Sequence, residues 1–168
     1  YAFDWSYGKA ETFNLLVPNL LGGGSSGSLS ESSEVFKALV SGGVPANSAI
    51  QAVQNMPLYF GQQPITSGPS YSGVILIFLF VLSMFLLKSN GKWLLLGGTL
   101  VFIMLSWGKN FAEFNDLIFN LLPGYNKFRA VTMTLTIVHL LLAIGAAFGL
   151  RELFKDSNDF KTIKKPVI

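Results

Sequence analysis

Residues 131–150, VTMTLTIVHLLLAIGAAFGL, decide the fold class of this chain. The run contains no Asp, Glu, Lys or Arg, and it lies between Arg129 and Arg151. At about 1.5 Å per residue, a helix of this length measures roughly 30 Å, the thickness of the hydrocarbon core of a bilayer. The run therefore predicts a transmembrane helix.

Two further runs have the same character. Residues 71–87, YSGVILIFLFVLSMFLL, carry no charge, and residues 93–107, WLLLGGTLVFIMLSW, have a Trp at each end. Trp rings favour the boundary between lipid and water, so their placement is typical of the two ends of a span. We expect three transmembrane helices in total.

The composition agrees with a membrane protein. Of the 168 residues, 51% are hydrophobic and 12% are charged, and the mean hydropathy is +0.49. Soluble domains contain about 25% charged residues, which is twice this share. The absence of Cys excludes disulfide-stapled modules, Cys-based zinc sites, iron–sulfur clusters and cysteine nucleophiles. The dispersed net charge of +3 gives no reason to expect a nucleic-acid partner.

Basic residues predict the orientation, because Lys and Arg near the membrane ends are retained in the cytoplasm. The turn 88–92 has two Lys and no acidic residue, and the tail 151–168 has five basic residues against three acidic ones. Both are expected inside. The segment 1–70 and the loop 108–130 then lie outside, with five basic and six acidic residues between them.

The expected fold is therefore all-α: a polytopic membrane protein fragment with three transmembrane helices and a partly helical extracytoplasmic segment. Within 1–70, short helices are predicted over 9–17, 31–41 with Ser30 as cap, and 46–55, while Pro and Gly make 58–71 a loop. The apolar spacing of 114–122 predicts a further helix along the outer interface. No initiator Met or signal sequence precedes the outer segment, which indicates an excerpt of a larger multi-span protein.

Four stretches form an ordered set of motifs: WSYGKAETFNLLVPNLLGG (5–23), YFGQQPITSGPSYSG (59–73), LSWGKNF (105–111) and LPGYNKFRAV (122–131). Together they resemble YfhO-like bacterial membrane proteins, over residues 5 to about 150. That family resembles the GT-C class of glycosyltransferases. The resemblance implies a multi-pass protein of the bacterial inner membrane that moves a sugar from a polyprenyl-phosphate carrier to a cell-envelope acceptor on the outer face.

The alternative is a non-enzymatic transporter or flippase segment that binds a lipid-linked glycan. In the GT-C class the catalytic acidic residue usually lies in the first outer loop of the full protein, so the remainder of the full-length chain is an expected partner of any site here. The same resemblance leaves divalent metal dependence open, and no other cofactor is expected.

Outer cations are the candidate phosphate ligands. Lys109, Lys127 and Arg129 lie near membrane boundaries, at the depth of a polyprenyl-phosphate head group, where Arg gives bidentate contacts and Lys a point charge. The matches to GKNF and YNKFR add support, and Asn110 and Lys9 complete the candidate set. The alternative is that these cations reach ordinary lipid phosphates or pair with acidic residues of the same loop.

Asp4 and Glu11 are the candidate general bases, because they lie among aromatic side chains that could stack on sugar rings. The resemblance favours Glu11. The alternative is that Glu11 caps or braces a short helix and Asp4 is solvated. His139, inside the third run, shares a stripe with Thr132 and Thr136, and Gly145 and Gly149 form a small-residue pair. That pattern predicts a helix-packing face with a neutral His bonded to a neighbouring helix.

Overall fold

The computed structural model describes residues 3–66, 68, 70–121, 124–127 and 130–155. The described chain is helical, which confirms the all-α prediction. Its α-helices are α1 (Glu34–Ser41), α2 (Ala46–Gln54), α3 (Val74–Leu86), α4 (Gly91–Ser106), α5 (Ala112–Leu121) and α6 (Leu135–Lys155). Short 3₁₀ helices cover Ala10–Leu15, Gly108–Phe111, Tyr125–Lys127 and Val131–Thr134. Gly22 and Tyr59 form an isolated antiparallel bridge.

One helix of the described ranges, Val131–Lys155, is long and apolar enough to cross a membrane by length and composition. The number rises to two if Gly91–Ser106 and Gly108–Leu121, which meet at 117°, are counted as one broken span. The apolar run at 71–87 gives a helix of only 13 residues, because Gly73 has a φ of +97° and α3 begins after it. The run at 93–107 stops at Ser106, since Gly108, with a φ of +45°, turns the chain into α5.

Small residues let α6 pack closely against α3. A Cβ atom at Gly149 would lie 2.8 Å from Ser83 Cβ and 3.0 Å from the carbonyl oxygen of Leu79, and one at Gly145 would collide with the Phe80 ring. The predicted packing role of this glycine pair is therefore confirmed. The hydroxyl of Ser83 is buried and donates to the carbonyl of Phe80 at 2.6 Å. Burying this hydroxyl between α3 and α6 therefore costs little free energy.

The faces of the helices away from this contact remain apolar and open. Large exposed hydrophobic side chains on α3, α4 and α6 include Ile75, Phe78, Phe85, Leu94, Leu100, Leu140 and Phe148. A water-soluble monomer rarely leaves so many large apolar groups exposed along neighbouring helices, whereas lipid would cover them.

The N-terminal segment departs from its predicted boundaries at two places, because the helix expected over 9–17 is a 3₁₀ helix over Ala10–Leu15 and α1 has a different cap. Helix α1 begins at Glu34 and is capped by Ser33, whose Oγ accepts from the backbone N–H of Phe36 at 3.2 Å, instead of by Ser30. The hydroxyl groups of Ser30 and Ser32 hydrogen-bond each other at 2.6 Å. The helices predicted over 46–55 and 114–122 are found as α2 and α5, and the 58–71 loop has no described helix.

Candidate functional site

The first motif is hydrogen-bonded to the third. Tyr7 N donates to the carbonyl of Ser106 at 2.8 Å, and Asn110 Nδ2 donates to the carbonyl of Tyr7 at 2.9 Å. The backbone N–H of Lys109 donates to Ser6 Oγ at 2.9 Å. The N-terminal stretch is thereby fixed to the turn that follows α4, at the end of the bundle where α6 begins.

Gly108 makes this docking sterically possible. It is buried with a φ of +45°, a backbone conformation that favours glycine. A Cβ atom there would collide with Ser6 Oγ and lie 2.8 Å from Val131 Cγ2. The glycine of the LSWGKNF motif is therefore required for close approach of the first motif.

Aromatic residues strengthen the same junction. Trp107 Nε1 donates to Thr12 Oγ1 at 2.9 Å. Lys9 Nζ lies 5.5 Å from the ring centre of Phe111 and 6.0 Å from that of Trp107, both within cation–π distance. Lys9 is thus an exposed cation held over two rings, and its charge remains open to solvent.

Glu11 joins the second motif to the first. Its side chain is 1% exposed, and Oε1 accepts hydrogen bonds from the hydroxyl of Tyr59, at 2.9 Å, and from the backbone N–H of Gln62. Gln63 Nε2 donates to Oε2 at 3.3 Å. The carboxylate therefore holds the loop from Tyr59 to Gln63, about 50 residues away along the sequence.

The phenol of Tyr59 is part of the same network. Its O–H group donates to Glu11 Oε1, and its oxygen accepts from the backbone N–H of Gln63 at 3.0 Å. Burial, the largest influence, and the adjacent carboxylate raise the pKa of Tyr59 to about 12. The neutral hydroxyl, which can donate to Glu11, is therefore the form that the fold stabilises.

The fourth motif is attached through Tyr125. Its buried hydroxyl donates to Asn115 Oδ1 at 2.8 Å and lies 3.2 Å from the carbonyl oxygen of Leu105. Burial raises the pKa of Tyr125 to about 12. Asn115, which is fully buried, donates through Nδ2 to the carbonyls of Met104 and Phe111, both at 3.1 Å. All four motifs therefore meet at one end of the helices, although they are spread over more than 100 residues.

A polar cleft of about 280 Å³ opens at this junction and is called here the His139 cleft. Its walls come from the first two motifs and from the start of the last helix. The described lining is Tyr7, Gln63, Thr66, Gly68, Ser70, Thr132, Leu135, Thr136 and His139. This lining offers hydroxyl, amide and imidazole groups, and it contains no carboxylate and no Lys or Arg.

His139 corrects part of the sequence-based expectation. Its Nδ1 lies 2.7 Å from the carbonyl oxygen of Leu135 in its own helix, not on a neighbouring one. A carbonyl only accepts, so Nδ1 carries the proton in this hydrogen bond. Nε2 has no partner among the described residues and is the ring's remaining polar atom. Thr132, Thr136 and His139 line the cleft. Close packing against α3 occurs further along α6, at Gly145 and Gly149.

Tyr7 is a buried residue of the cleft lining. The residue is 1% exposed, and its hydroxyl interacts with the buried side chain of Asn14, although the two groups form no well-aligned hydrogen bond. Burial raises its pKa to about 12. Buried hydroxyl groups usually form hydrogen bonds, and the poorly aligned contact with Asn14 leaves this one only partly satisfied.

A second, more open cleft of about 460 Å³ is called here the Lys109 cleft. It is lined by Asp4, Trp5, Gln62, Pro64 and Lys109. The loop 62–66 contributes to both clefts, since Gln62 and Pro64 line this one while Gln63 and Thr66 line the other. Trp5 Nε1 fixes the loop by donating to the carbonyl of Ile65 at 3.3 Å.

The candidate residues thus have different positions. Asp4 and Lys109 are exposed and share the Lys109 cleft. Glu11 was predicted as a candidate base, but it is buried and its carboxylate accepts hydrogen bonds from the loop 59–63. Asn110 is engaged with the backbone of Tyr7. Lys127 is exposed on the Tyr125–Lys127 turn and lines neither cleft, and Arg129 lies outside the described residues.

Sequence reasoning missed the loop residues Tyr59, Gln62, Gln63 and Thr66. The sequence signal for these residues was the pair Gln62 and Gln63 in a Gly- and Pro-rich loop. Amide side chains in such a loop belong to no helix or strand. No cluster of three or more His, Cys, Asp or Glu capable of holding a metal occurs in the described ranges. Comparison with protein-family models, curated proteins and solved structures gives no match for this chain.

Proposed function

We propose that this chain is part of an integral membrane glycosyltransferase of the bacterial inner membrane, which transfers a sugar from a polyprenyl-phosphate carrier to a cell-envelope acceptor. The observation that carries the proposal is the meeting of the four motifs at the outer end of apolar helices, where residues of the first three motifs line two clefts. Polar groups suited to a sugar line the His139 cleft, and a cation suited to a phosphate lines the Lys109 cleft. The loop 62–66 contributes to both clefts.

The proposed topology has three spans, formed by α3, α4 and α6. Helix α3 has 13 residues, about 20 Å, so it needs the flanking residues 71–73 and 87 to reach across the hydrocarbon core. The exposed apolar faces of all three helices support this placement, as does the position of the basic turn 88–92 opposite the two clefts. A polyprenyl chain would lie along these faces.

The sugar is assigned to the His139 cleft. Sugar hydroxyls both donate and accept hydrogen bonds, and the cleft presents both functions in Thr132, Thr136 and Gln63. His139 adds the ring nitrogen Nε2 as a further polar atom, since Nδ1 is hydrogen-bonded to the carbonyl of Leu135. Tyr7, whose buried hydroxyl has no well-aligned hydrogen bond, also lines this cleft.

The phosphate is assigned to the Lys109 cleft. Lys109 is the cation among the described residues of its lining, and Lys9 is held over the rings that flank the same turn. Asp4, on the same cleft, is the accessible candidate for a general base that takes the proton of an acceptor hydroxyl. Glu11 acts in this proposal as a positioning residue, because it holds the loop that forms one wall of each cleft.

A second candidate function is binding without transfer, as in a transporter or flippase. The observation in its favour is that the described lining of the His139 cleft contains no carboxylate. A base would then have to come from Asp4 in the neighbouring cleft or from the rest of the protein.

Binding is tested with the full-length protein in detergent and polyprenyl monophosphate as the probe. Lys109→Ala should weaken binding by roughly tenfold to hundredfold, because charge-assisted hydrogen bonds contribute about 1.5–3 kcal/mol. The matched control is Lys127→Ala, which removes an exposed cation of the same outer region that lines neither cleft. Equal affinity for wild type and Lys109→Ala, at equal thermal stability, would contradict the phosphate assignment.

Transfer is tested with a radiolabelled sugar on polyprenyl phosphate and isolated cell-envelope glycan as acceptor. Asp4→Asn should reduce transfer by about 100-fold or more without weakening polyprenyl-phosphate binding, since a general base contributes about 10²–10⁴ in rate. Binding without any transfer by wild-type protein would favour the transporter or flippase.

A further inference from the structure

A basic cleft lies at the opposite end of the helices, away from both outer clefts. Its volume is about 520 Å³, and it lies between the turn that joins α3 to α4 and the last turns of α6. Its lining is Leu87, Lys88, Ser89, Gly91, Lys92, Leu94, Leu95, Phe148, Arg151, Glu152 and Lys155. None of these residues belongs to the sites described above.

Positive charge dominates this lining. Four of the described lining residues are basic and one is acidic, which gives this set a formal charge of +3. Glu152 is already paired with Lys155, whose Nζ lies 3.1 Å from Oε1. Lys88 and Arg151 are exposed and form no ion pair with any described residue. An anion entering the cleft would therefore meet two available cations.

Lys92 has a structural role that shapes the cleft. Its Nζ donates to the carbonyl oxygen of Met84 at 2.9 Å and lies 5.6 Å from the Trp93 ring. Met84 is in the last turn of α3, where carbonyl groups lack helical partners, so the lysine satisfies that helix end. Lys92 thus joins α3 to α4 and leaves ligand contacts to Lys88 and Arg151.

The rest of the lining is apolar. Leu87, Leu94, Leu95 and Phe148 contribute to the walls, with Leu94 80% exposed and Phe148 42% exposed. These side chains continue into the exposed apolar faces of α4 and α6. The cleft therefore offers an anion site and an adjoining surface for hydrocarbon.

We propose that the basic cleft binds one anionic phospholipid, with the phosphate on Lys88 and Arg151 and an acyl chain along Leu94 and Phe148. Basic pockets between transmembrane helices recognise acidic lipid head groups by this combination of charge and apolar contact. Free phosphate would use only the cations and leave the apolar walls uncovered. The inference rests on the membrane placement proposed above, but not on sugar transfer or on the outer clefts.

The test is lipid titration of the purified full chain in neutral detergent, followed by native mass spectrometry. The probes are dioleoyl phosphatidylglycerol and dioleoyl phosphatidylcholine, which share acyl chains and differ in charge. Wild-type protein should retain one phosphatidylglycerol in preference to phosphatidylcholine. Lys88→Gln/Arg151→Gln should weaken phosphatidylglycerol binding by about 25-fold, at about fivefold for each cation removed.

The matched control is Lys37→Gln/Lys127→Gln, which removes two exposed cations from the outer part and should leave lipid binding unchanged. Equal retention of both lipids by wild type, or equal phosphatidylglycerol affinity in Lys88→Gln/Arg151→Gln and wild type, would overturn the proposal. Displacement of the lipid by millimolar inorganic phosphate would show an anion site without lipid selectivity and would also overturn it.

Two measurements on wild-type protein keep the proposal testable if the double variant does not fold. Brominated phosphatidylglycerol should quench tryptophan fluorescence more than brominated phosphatidylcholine, because Trp93 adjoins Lys92 while Trp5 and Trp107 lie at the other end. Raising the salt concentration should reduce this preference, since exposed charges are screened. Equal quenching by both lipids would refute the assignment without bearing on sugar transfer.

Discussion

Replacing Glu11 by Gln tests the role of the buried carboxylate. Oε1 accepts hydrogen bonds from Tyr59 and from Gln62 N, and Oε2 accepts one from Gln63 Nε2. A glutamine retains one acceptor oxygen, but it removes the charge and presents an N–H group to the Gln63 amide, which is itself a donor. The substitution is nearly isosteric, so its effect measures hydrogen bonding and charge instead of packing.

The magnitude follows from these three bonds. Hydrogen bonds to charged groups contribute about 1.5–3 kcal/mol and neutral ones about 1 kcal/mol, so two bonds lose roughly 0.5–2 kcal/mol each and the third becomes unfavourable. Tyr59 and Gln63 are only half-buried, which lowers the total. We expect a loss of about 2–4 kcal/mol in the free energy of unfolding.

The assay combines thermal unfolding in detergent with hydrogen exchange of the loop 59–66. Glu11→Gln should lower the unfolding temperature and speed exchange in this loop. The matched control is Glu34→Gln, because that carboxylate is 87% exposed in its pair with Lys37 and should contribute less than about 0.5 kcal/mol. Wild-type stability together with wild-type exchange in Glu11→Gln would refute the positioning role.

Three other predictions follow from single contacts. Gly108→Ala should destabilise the protein by about 2–4 kcal/mol through strain and collision with Ser6, whereas Gly97→Ala, with no atom within 4 Å of the added Cβ, should be neutral or stabilising in thermal unfolding. Gly149→Ala should cost about 1–3 kcal/mol at the contact of α3 with α6, measured in the same way; a neutral result would contradict that packing. The raised pKa of Tyr59 means that its stabilising contribution is complete below pH 10 and is lost as the pH rises from 10 to 12. The unfolding temperature of Tyr59→Phe should therefore fall less steeply over that window than that of wild type, and parallel curves would contradict the assignment.

The helices were predictable from the sequence because their signals are local. The charge-free run 131–150 identifies α6, although the helix continues to Lys155 because Arg151, Glu152 and Lys155 are compatible with helical structure and the last two pair across one turn. The cap of α1 was misplaced by three residues, since Ser30, Ser32 and Ser33 are all acceptable cap residues and only the backbone geometry separates them.

The site was predictable only in part because its contacts are not local. Glu11 could be singled out as a carboxylate among aromatic residues, but its partner Tyr59 is 48 residues away. The stripe of Thr132, Thr136 and His139 has the spacing of a packing face, and spacing cannot distinguish a neighbouring helix from a polar loop. Asn115 was expected in an outer loop, yet it is fully buried because it satisfies backbone carbonyls at the bend after α4.

The two carboxylates of the outer segment can be separated by what each substitution changes. Glu11 supports the loop that lines both clefts, so its loss should weaken the affinity for polyprenyl phosphate and the stability together. Loss of transfer in a Glu11 variant would therefore not identify a catalytic base. Asp4 lies on the Lys109 cleft and is exposed, so Asp4→Asn should reduce stability less than Glu11→Gln does, and the role of a base predicts that it lowers kcat without weakening affinity. If Asp4→Asn instead lowered affinity at unchanged kcat, the base would have to be sought in the rest of the full-length protein.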